Sequence, residues 1–483
     1  MNTNFIIGKY TLESLTNGMY SNPLDLYREY IQNAVDSIDD SMEQGFQNPE
    51  EYLINIEINN QEKTIKFRDN GNGISKEKAF KTLLEIGNSQ KDLRRNRGFR
   101  GIGRLSGLGY CDRLVFTTSF LGESSKSIVV FDAKKLRELL VPGQSSEEET
   151  LVDVLNQVVS CSTGPEKSKQ HYFQVEMFNV SKNEGLLDSS KVHDYLIQHM
   201  PLPFSKLFRF GEIVSSKVKK AGYQIPSYNI DLTVNGVTTR LYKPYEDYIV
   251  SDRVKHIEER LQDVMIKKFY SNDRLIAILW YGKTNFNGTI LNSQIKGIRV
   301  RKGNVLVGDH TTLNKYFKEE RFNGWIVGEI FILDADIIPN SRRDEFEQNK
   351  AYSVLIEKIK EWANEISREI RKASCQRSLS ESAQKVMESE DVNSLMIEDT
   401  DFCDEFSLME AEESFEIAQE NYFDKLALIL GAKQKQTKYA VLNINHKFTN
   451  EQRITLERVF DVLRESYSEK EHTEIIESIV KKF

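Results

Sequence analysis

Between Leu24 and Met42 the apolar residues Leu26, Tyr30, Ala34, Ile38 and Met42 recur at every fourth position, which predicts an amphipathic helix. Pro23 suits its first turn, with Ser21 or Asn22 as cap. The period then changes. Ile54-Asn55-Ile56-Glu57-Ile58 and Thr64-Ile65-Lys66-Phe67-Arg68 alternate as strands, joined by the polar turn Asn59-Asn60-Gln61-Glu62-Lys63. Residues 76–86 return to helical spacing and lead into a loop rich in Gly, Asn and Arg. Further strands are expected over 113–120, 127–131 and 175–178, and residues 1–20 read as a lead-in with a helix. A second unit with strands at 229–234, 275–280, 298–301 and 325–333 closes on a striped helix over 351–372. Between Glu381 and Glu420 acids greatly outnumber bases, with Lys385 the only Lys or Arg, so a solvated linker is expected. Two further helices, over 451–465 and 469–481, complete the pattern. The fold class predicted is α+β, organised as 1–200, 201–374, a linker 375–420 and a helical module 421–483.

Composition narrows the function classes. A net charge of −8 argues against a chain coated in basic charge for nucleic acid, though not against a local basic patch. Cys111, Cys161, Cys375 and Cys403 form no CxxC pair, so neither a zinc site nor a disulfide framework is expected. The start lacks a basic segment followed by a long apolar run, and no apolar run reaches membrane-spanning length. A cytoplasmic protein with reduced thiols and no membrane contact is the expectation.

Three polar constellations carry the chemistry. Glu29, Asn33 and Asp36 stand at i, i+4 and i+7 on one helix face. An amide oxygen there can bind a hard cation such as Mg²⁺, and a carboxylate one turn away can orient and deprotonate a water. Asp69 ends a strand and is followed by Asn70-Gly71-Asn72-Gly73, where glycines allow a ligand close to the backbone and a buried carboxylate can accept from an exocyclic amine. Gly98, Gly101 and Gly103 precede an expected helix over 104–109, whose positive end favours phosphate. Taken singly, each has a plainer reading: a solvated helix face, a turn after an edge strand, a common glycine spacing. The strand–glycine–helix order of a dinucleotide fold is not met.

Together the three resemble the GHKL superfamily: gyrase B subunit, the ninety-kilodalton heat-shock chaperone, histidine kinases and MutL. Arg28-Glu29-Tyr30-Ile31-Gln32-Asn33-Ala34-Val35-Asp36 resembles its first motif and Asp69-Asn70-Gly71-Asn72-Gly73 its DxGxG motif. Ile86-Gly87-Asn88-Ser89-Gln90-Lys91 looks like the opening of an ATP lid, and Gly98-Phe99-Arg100-Gly101 is similar to the GFRG of MutL. Asp336-Ile337-Ile338-Pro339-Asn340-Ser341-Arg342-Arg343-Asp344 resembles the chaperone's middle-domain loop, whose Arg reaches the γ-phosphate; Arg343 is the better register match and Arg342 its alternative.

The resemblance implies a Bergerat-type sandwich for ATP, a transducer-like α+β middle domain and a helical C-terminal module. It implies Glu29 as general base, Asn33 as Mg²⁺ ligand beside Asp36, Asp69 as adenine reader, Gly71 and Gly73 as its close backbone, and Gly98, Gly101 and Gly103 around phosphate. Where many members carry Gly-Thr before the late strand, this chain has Tyr172-Phe173-Gln174-Val175, so the threonine contact is assigned to Thr117. The implied activity is an ATPase clamp: ATP closes the lid, pairs two N-terminal domains as a homodimer, and acts on a protein client or effector. The alternatives are a DNA-associated ATPase of the MutL or MORC type, as in anti-phage defence, and an ATP-gated scaffold. The basic lid, with Lys91, Arg94, Arg95, Arg97, Arg100 and Arg104, suits phosphates of ATP, a partner or DNA, or plain solvent.

Overall fold

Eight of the strands form one mixed sheet in the computed structural model, which describes residues 8–11, 22–87, 103–141, 149–181, 185–252, 256–388 and, near the C-terminus, 456, 458–460 and 475. Helix α1 (Asp25–Gln44) is followed by β1 (Leu53–Asn59), β2 (Thr64–Asp69), α2 (Lys76–Leu84) and a 3-10 helix, Gly103–Gly109. Next come β3 (Arg113–Ser119), β4 (Ser125–Asp132), α3 (Ala133–Leu140), α4 (Leu151–Val158), β5 (Val159–Pro165), β6 (Tyr172–Phe178) and α5 (Ser189–His199). The segment expected as an α-helix after the third glycine is thus a 3-10 turn, which its glycines at 103, 107 and 109 favour over a regular helix.

The helix α6 (Gly211–Lys220) precedes β7 (Asn229–Val234) and β8 (Val237–Arg240). The sheet order is β5-β4-β3-β6-β2-β1-β7-β8. All neighbours are antiparallel except β1 and β7, which run parallel with Ile54 opposite Ile230 and Ile56 opposite Leu232. The strand at 229–234, read from the sequence as part of the second unit, therefore extends the first sheet. Its alternating Ile230 and Leu232 complete a core that β1 leaves open on that side.

Strands β9 (Tyr248–Asp252), β10 (His256–Arg260) and β13 (Thr289–Ile290) make a small sheet. Strands β11 (Asp263–Ser271), β12 (Arg274–Lys283), β14 (Gly297–Lys302), β15 (Val305–Val307) and β16 (Val327–Ile332) make a five-stranded one, ordered β11-β12-β16-β14-β15. One face packs Leu279, Ile298 and Ile330 under Leu355, Ile359, Trp362 and Ile366 of the long helix α7 (Lys350–Glu388). The other packs Ile278, Trp280 and Phe331 against Phe208, Val214 and Val218 at α6. Every residue of β16 is buried, as a strand covered on both faces requires.

The chain divides into two units, Met1–Ala373 and Ser374–Phe483. In the second, α7 continues to Glu388, so helical backbone occupies the start of the expected acidic linker; the rest of that linker and most of the two expected C-terminal helices lie outside the described residues. Cys111 and Cys161 are free thiols, whereas Cys375 is disulfide-bonded, contrary to the expectation of four reduced thiols. Sequence spacing rules out a CxxC pair but not a tertiary pairing. Among the described residues, no helix is long and apolar enough to cross a membrane.

Candidate nucleotide site

Helix α1 is buried on more of its circumference than a simple stripe predicts. Leu26, Tyr30, Ala34 and Ile38 face the core, and so do Tyr27, Ile31 and Val35. Glu29, Asn33 and Ser37 are half-buried along the face that remains, with Asp36 buried at its border. The entry to the helix is set by Asn22, whose side-chain oxygen accepts from the Leu24 amide at 3.0 Å.

The Asp-Gly turn packs on this face. Asp69, at the end of β2, is only 2 % exposed. Its Oδ1 accepts from the Gly71 amide at 3.0 Å, and the Ser37 side chain, close to the carboxylate, also favours its charged form. Burial nevertheless pushes the carboxyl up to about 7, because those groups replace only part of the lost water. The Asn72 amide donates to the Ser37 carbonyl at 3.3 Å. His171 Nδ1 donates to the Gly71 carbonyl at 2.7 Å, which places the proton on that nitrogen. Gly73 has φ +66°, and a Cβ there would stand 2.0 Å from the Ser119 carbonyl oxygen, so no side chain fits.

Strand register separates Thr117 from its neighbour Thr118. Asp69 pairs with Phe173, and Phe173 with Thr118 on β3. Directly paired residues share a sheet face, so Thr118 lies on the Asp69 side. Thr117 is level with Gln174 and Arg68 and points to the other face. The buried Thr118 hydroxyl accepts from the Ile74 amide at 2.8 Å and donates to the Tyr172 carbonyl at 3.0 Å, tying the glycine turn to β3 and β6. Thr118 and Ser37 join the candidate residues on structural grounds. Ser37 stands at i+4 from Asn33, a spacing that could have found it.

At the other end of the face, Gly103 lies against Glu29: a Cβ at 103 would stand 2.2 Å from Glu29 Oε2. The Tyr30 hydroxyl donates to the Arg104 carbonyl at 3.0 Å and fixes this segment on α1. Arg104 also donates to the Glu85 carbonyl. Gly98 and Gly101 lie outside the described residues, as do the lid basic residues from Lys91 to Arg100. Ser37 and Glu29 are eight residues apart, about 12 Å along the axis.

The Arg342-Arg343 loop also meets this helix. It is a tight hairpin in which Pro339 bridges Phe346, and Asn340 N donates to the Glu345 carbonyl at 2.9 Å. Arg343 is left-handed at φ 58°, and its carbonyl accepts from Gly308 N at 2.9 Å. Arg28, adjacent to Glu29, donates from Nη2 to the Arg342 carbonyl at 3.1 Å while pairing with Asp25 at 3.1 Å.

The residues fit Mg²⁺ held jointly with a nucleotide. Among the described residues, no group of three His, Cys, Asp or Glu is arranged to hold a metal alone. Mg²⁺ bound through one or two protein oxygens plus phosphates needs only the Asn33 amide near Asp36.

A carboxyl sealed beneath a glycine turn, an acid-and-amide helix face and a glycine segment folded over the acid are the features by which this domain resembles the GHKL superfamily. Residues 26–158 match the family described as "Histidine kinase-, DNA gyrase B-, and HSP90-like ATPase". Individual relatives are chaperone proteins named HtpG. That of Halalkalibacterium halodurans is 30% identical over 133 residues, 24% of this chain and 21% of the relative. That of Buchnera aphidicola is 31% identical over 140 residues, 25% and 22% of the two chains. That of Acinetobacter baylyi is 34% identical over 84 residues, 16% and 13%. The matched stretch thus spans about a fifth, or less, of these relatives' length.

Proposed function

We propose that this chain binds Mg-ATP and hydrolyses it to ADP and phosphate as a molecular clamp. The observation that carries this reading is the pairing of a buried, partly sealed Asp69 carboxyl with a Glu29 carboxylate under Gly103, on one helix face. Asp69 accepts the adenine amine, and the backbone at Gly71 and Gly73 forms the wall beside it. Glu29 orients a water and takes its proton, and Gly103 presents backbone to phosphate. Mg²⁺ supplies charge neutralisation for the phosphates, and Asn33, with Asp36 beside it, is the side chain that holds it. Arg343, or Arg342 beside it, meets the γ-phosphate from the hairpin and stabilises charge in the transition state.

In this reading ATP closes the lid, two N-terminal domains associate, and the cycle does work on a protein client. The chaperone relatives support a protein client over DNA. Calorimetry and phosphate release on the full chain test the ATPase, and light scattering with ATP tests the clamp. Glu29→Ala is expected to keep ATP affinity, lose about 10²–10⁴-fold in turnover, and accumulate as the ATP-bound dimer. Normal turnover by that variant rules out the general base; a mass that ignores ATP rules out the clamp.

A further inference from the structure

Helix α5 joins the five-stranded sheet to the first turn of α1 through polar contacts, part-buried on the sheet side and buried at α1. At its C-terminal end, Arg301 of β14 donates to the Gln198 carbonyl at 2.8 Å, and Arg299 reaches Gln198 Oε1 at 3.4 Å. Cations at that end also suit the helix dipole. Arg301 is itself held by Glu329 of β16, which pairs with Lys243 at 2.5 Å, all three fully enclosed. On the side of α5, Gln294 donates to Asp194 at 2.9 Å. At the α1 joint, the buried Tyr195 hydroxyl donates to Asp25 Oδ1 at 2.8 Å. His199 stacks on the Tyr195 ring at 4.0 Å and fixes its plane. The same Asp25 oxygen receives Arg28, whose other terminal nitrogen holds the Arg342 carbonyl.

We propose that Tyr195 and Asp25 are a positioning pair through which the five-stranded sheet sets the aim of Glu29 and of the Arg342-Arg343 hairpin, with α5 as the strut between them. The inference rests on the ATPase reading above. Its reasoning is local. Asp25 anchors Arg28, Arg28 borders Glu29 at 3.7 Å and carries the hairpin, and the hydroxyl of Tyr195 is the α5 contact that fixes the Asp25 carboxylate. None of these groups touches the Asp69 end, so the pair should govern turnover and leave nucleotide affinity alone.

The test uses the full chain with Tyr195→Phe, Asp25→Asn and the double variant, measuring phosphate release and affinity for a non-hydrolysable ATP analogue. Tyr195→Phe removes one oxygen and Asp25→Asn keeps the shape, so folding is retained. The expected result is analogue affinity within about twofold, kcat down about tenfold in each single variant, and a double variant no slower than the singles. Asp25 faces Arg28 and Glu29 on α1, Tyr195 on α5 and Asp344 on the hairpin. Removing the Tyr195 donor disfavours the charged carboxylate, so the step that Asp25 adds to the acid side of the kcat profile is expected at higher pH in Tyr195→Phe and is missing in Asp25→Asn, which keeps the limb set by Glu29. Unchanged kcat in Tyr195→Phe overturns the proposal, as do losses that multiply in the double variant or an affinity that falls in step with kcat. Absence of turnover in the unaltered chain refutes the ATPase reading and this inference with it; turnover that the variants leave intact refutes the inference alone.

Discussion

Asp69→Asn should stabilise the protein while disabling it. The Asp69 carboxyl is raised from 3.8 to about 7, chiefly by burial, so the folded protein resists ionising it. At about 1.4 kcal/mol per pH unit, the ionised form carries a cost on the order of 4 kcal/mol. Because the folded value lies above the unfolded one, Asp69's contribution is fully present below pH 4 and is lost as pH rises through 7. About 2–3 kcal/mol of that loss falls between pH 5 and pH 8. Asparagine keeps the oxygen that accepts from Gly71 and offers Ser37 an amide, but it has no charge to bury. All three tryptophans, at 280, 325 and 362, lie outside this sheet, so their fluorescence reports the wrong region. Native-state hydrogen exchange on peptides covering β2, corrected for intrinsic rates, reads the stability locally. The expected outcome is a variant that gains on the parent by about 2–3 kcal/mol between pH 5 and pH 8, and whose ATP affinity falls about 10–100-fold. Equal pH slopes for the two proteins would refute the argument from desolvation, and unchanged ATP affinity would refute the adenine assignment.

Other outcomes follow from the same geometry. Gly73→Ala puts a carbon 2.0 Å from the Ser119 carbonyl oxygen at a φ of +66°; calorimetry should show ATP binding lost, and thermal unfolding a cost above about 2 kcal/mol. Arg343→Ala should lower turnover strongly with little change in ATP affinity. Arg342→Ala should do neither, since the Arg28 contact uses the main-chain carbonyl; the reverse pattern in steady-state kinetics would move the role to Arg342. Glu329→Gln leaves Arg301 and Lys243 enclosed without their counter-charge and should cost about 3–5 kcal/mol in urea unfolding.

Much of the candidate site is legible in sequence because its residues are close together and obey one local period. Glu29, Asn33 and Asp36 need only a helix, and Asp69 with its glycines needs only a strand end. What lay hidden depends on pairing between distant segments. Thr117 and Thr118 are indistinguishable until β3 is registered against β6, and a one-residue shift reverses the face. The α5 contacts join positions 25, 195, 198 and 301, which no spacing rule relates. Helices α3 to α6 carry little sequence signal for a different reason. They are short, 8 to 11 residues, and are held by packing and caps rather than by a long stripe: Asp132, Thr150 and Asp188 each accept from the first turn.

The parallel pairing of β1 with β7 bears on where this chain can be cut. Some 170 residues separate the two strands in sequence, yet they lie side by side, with Ile54, Ile56 and Ile58 opposite Ile230, Leu232 and Val234. A fragment stopping at residue 200 would keep every motif residue of the nucleotide site described here up to β6, but β1 would become a raw border with its amides and carbonyls bare. Such a border invites pairing with another chain, so that fragment is expected to self-associate whether or not ATP is present. A fragment carried past Arg240 retains both β7 and the short, wholly exposed β8, which then forms the natural selvage of the sheet. Truncation work on this protein therefore has its earliest safe stop after β8, and an ATP-independent dimer from a shorter piece would report the cut and not the clamp.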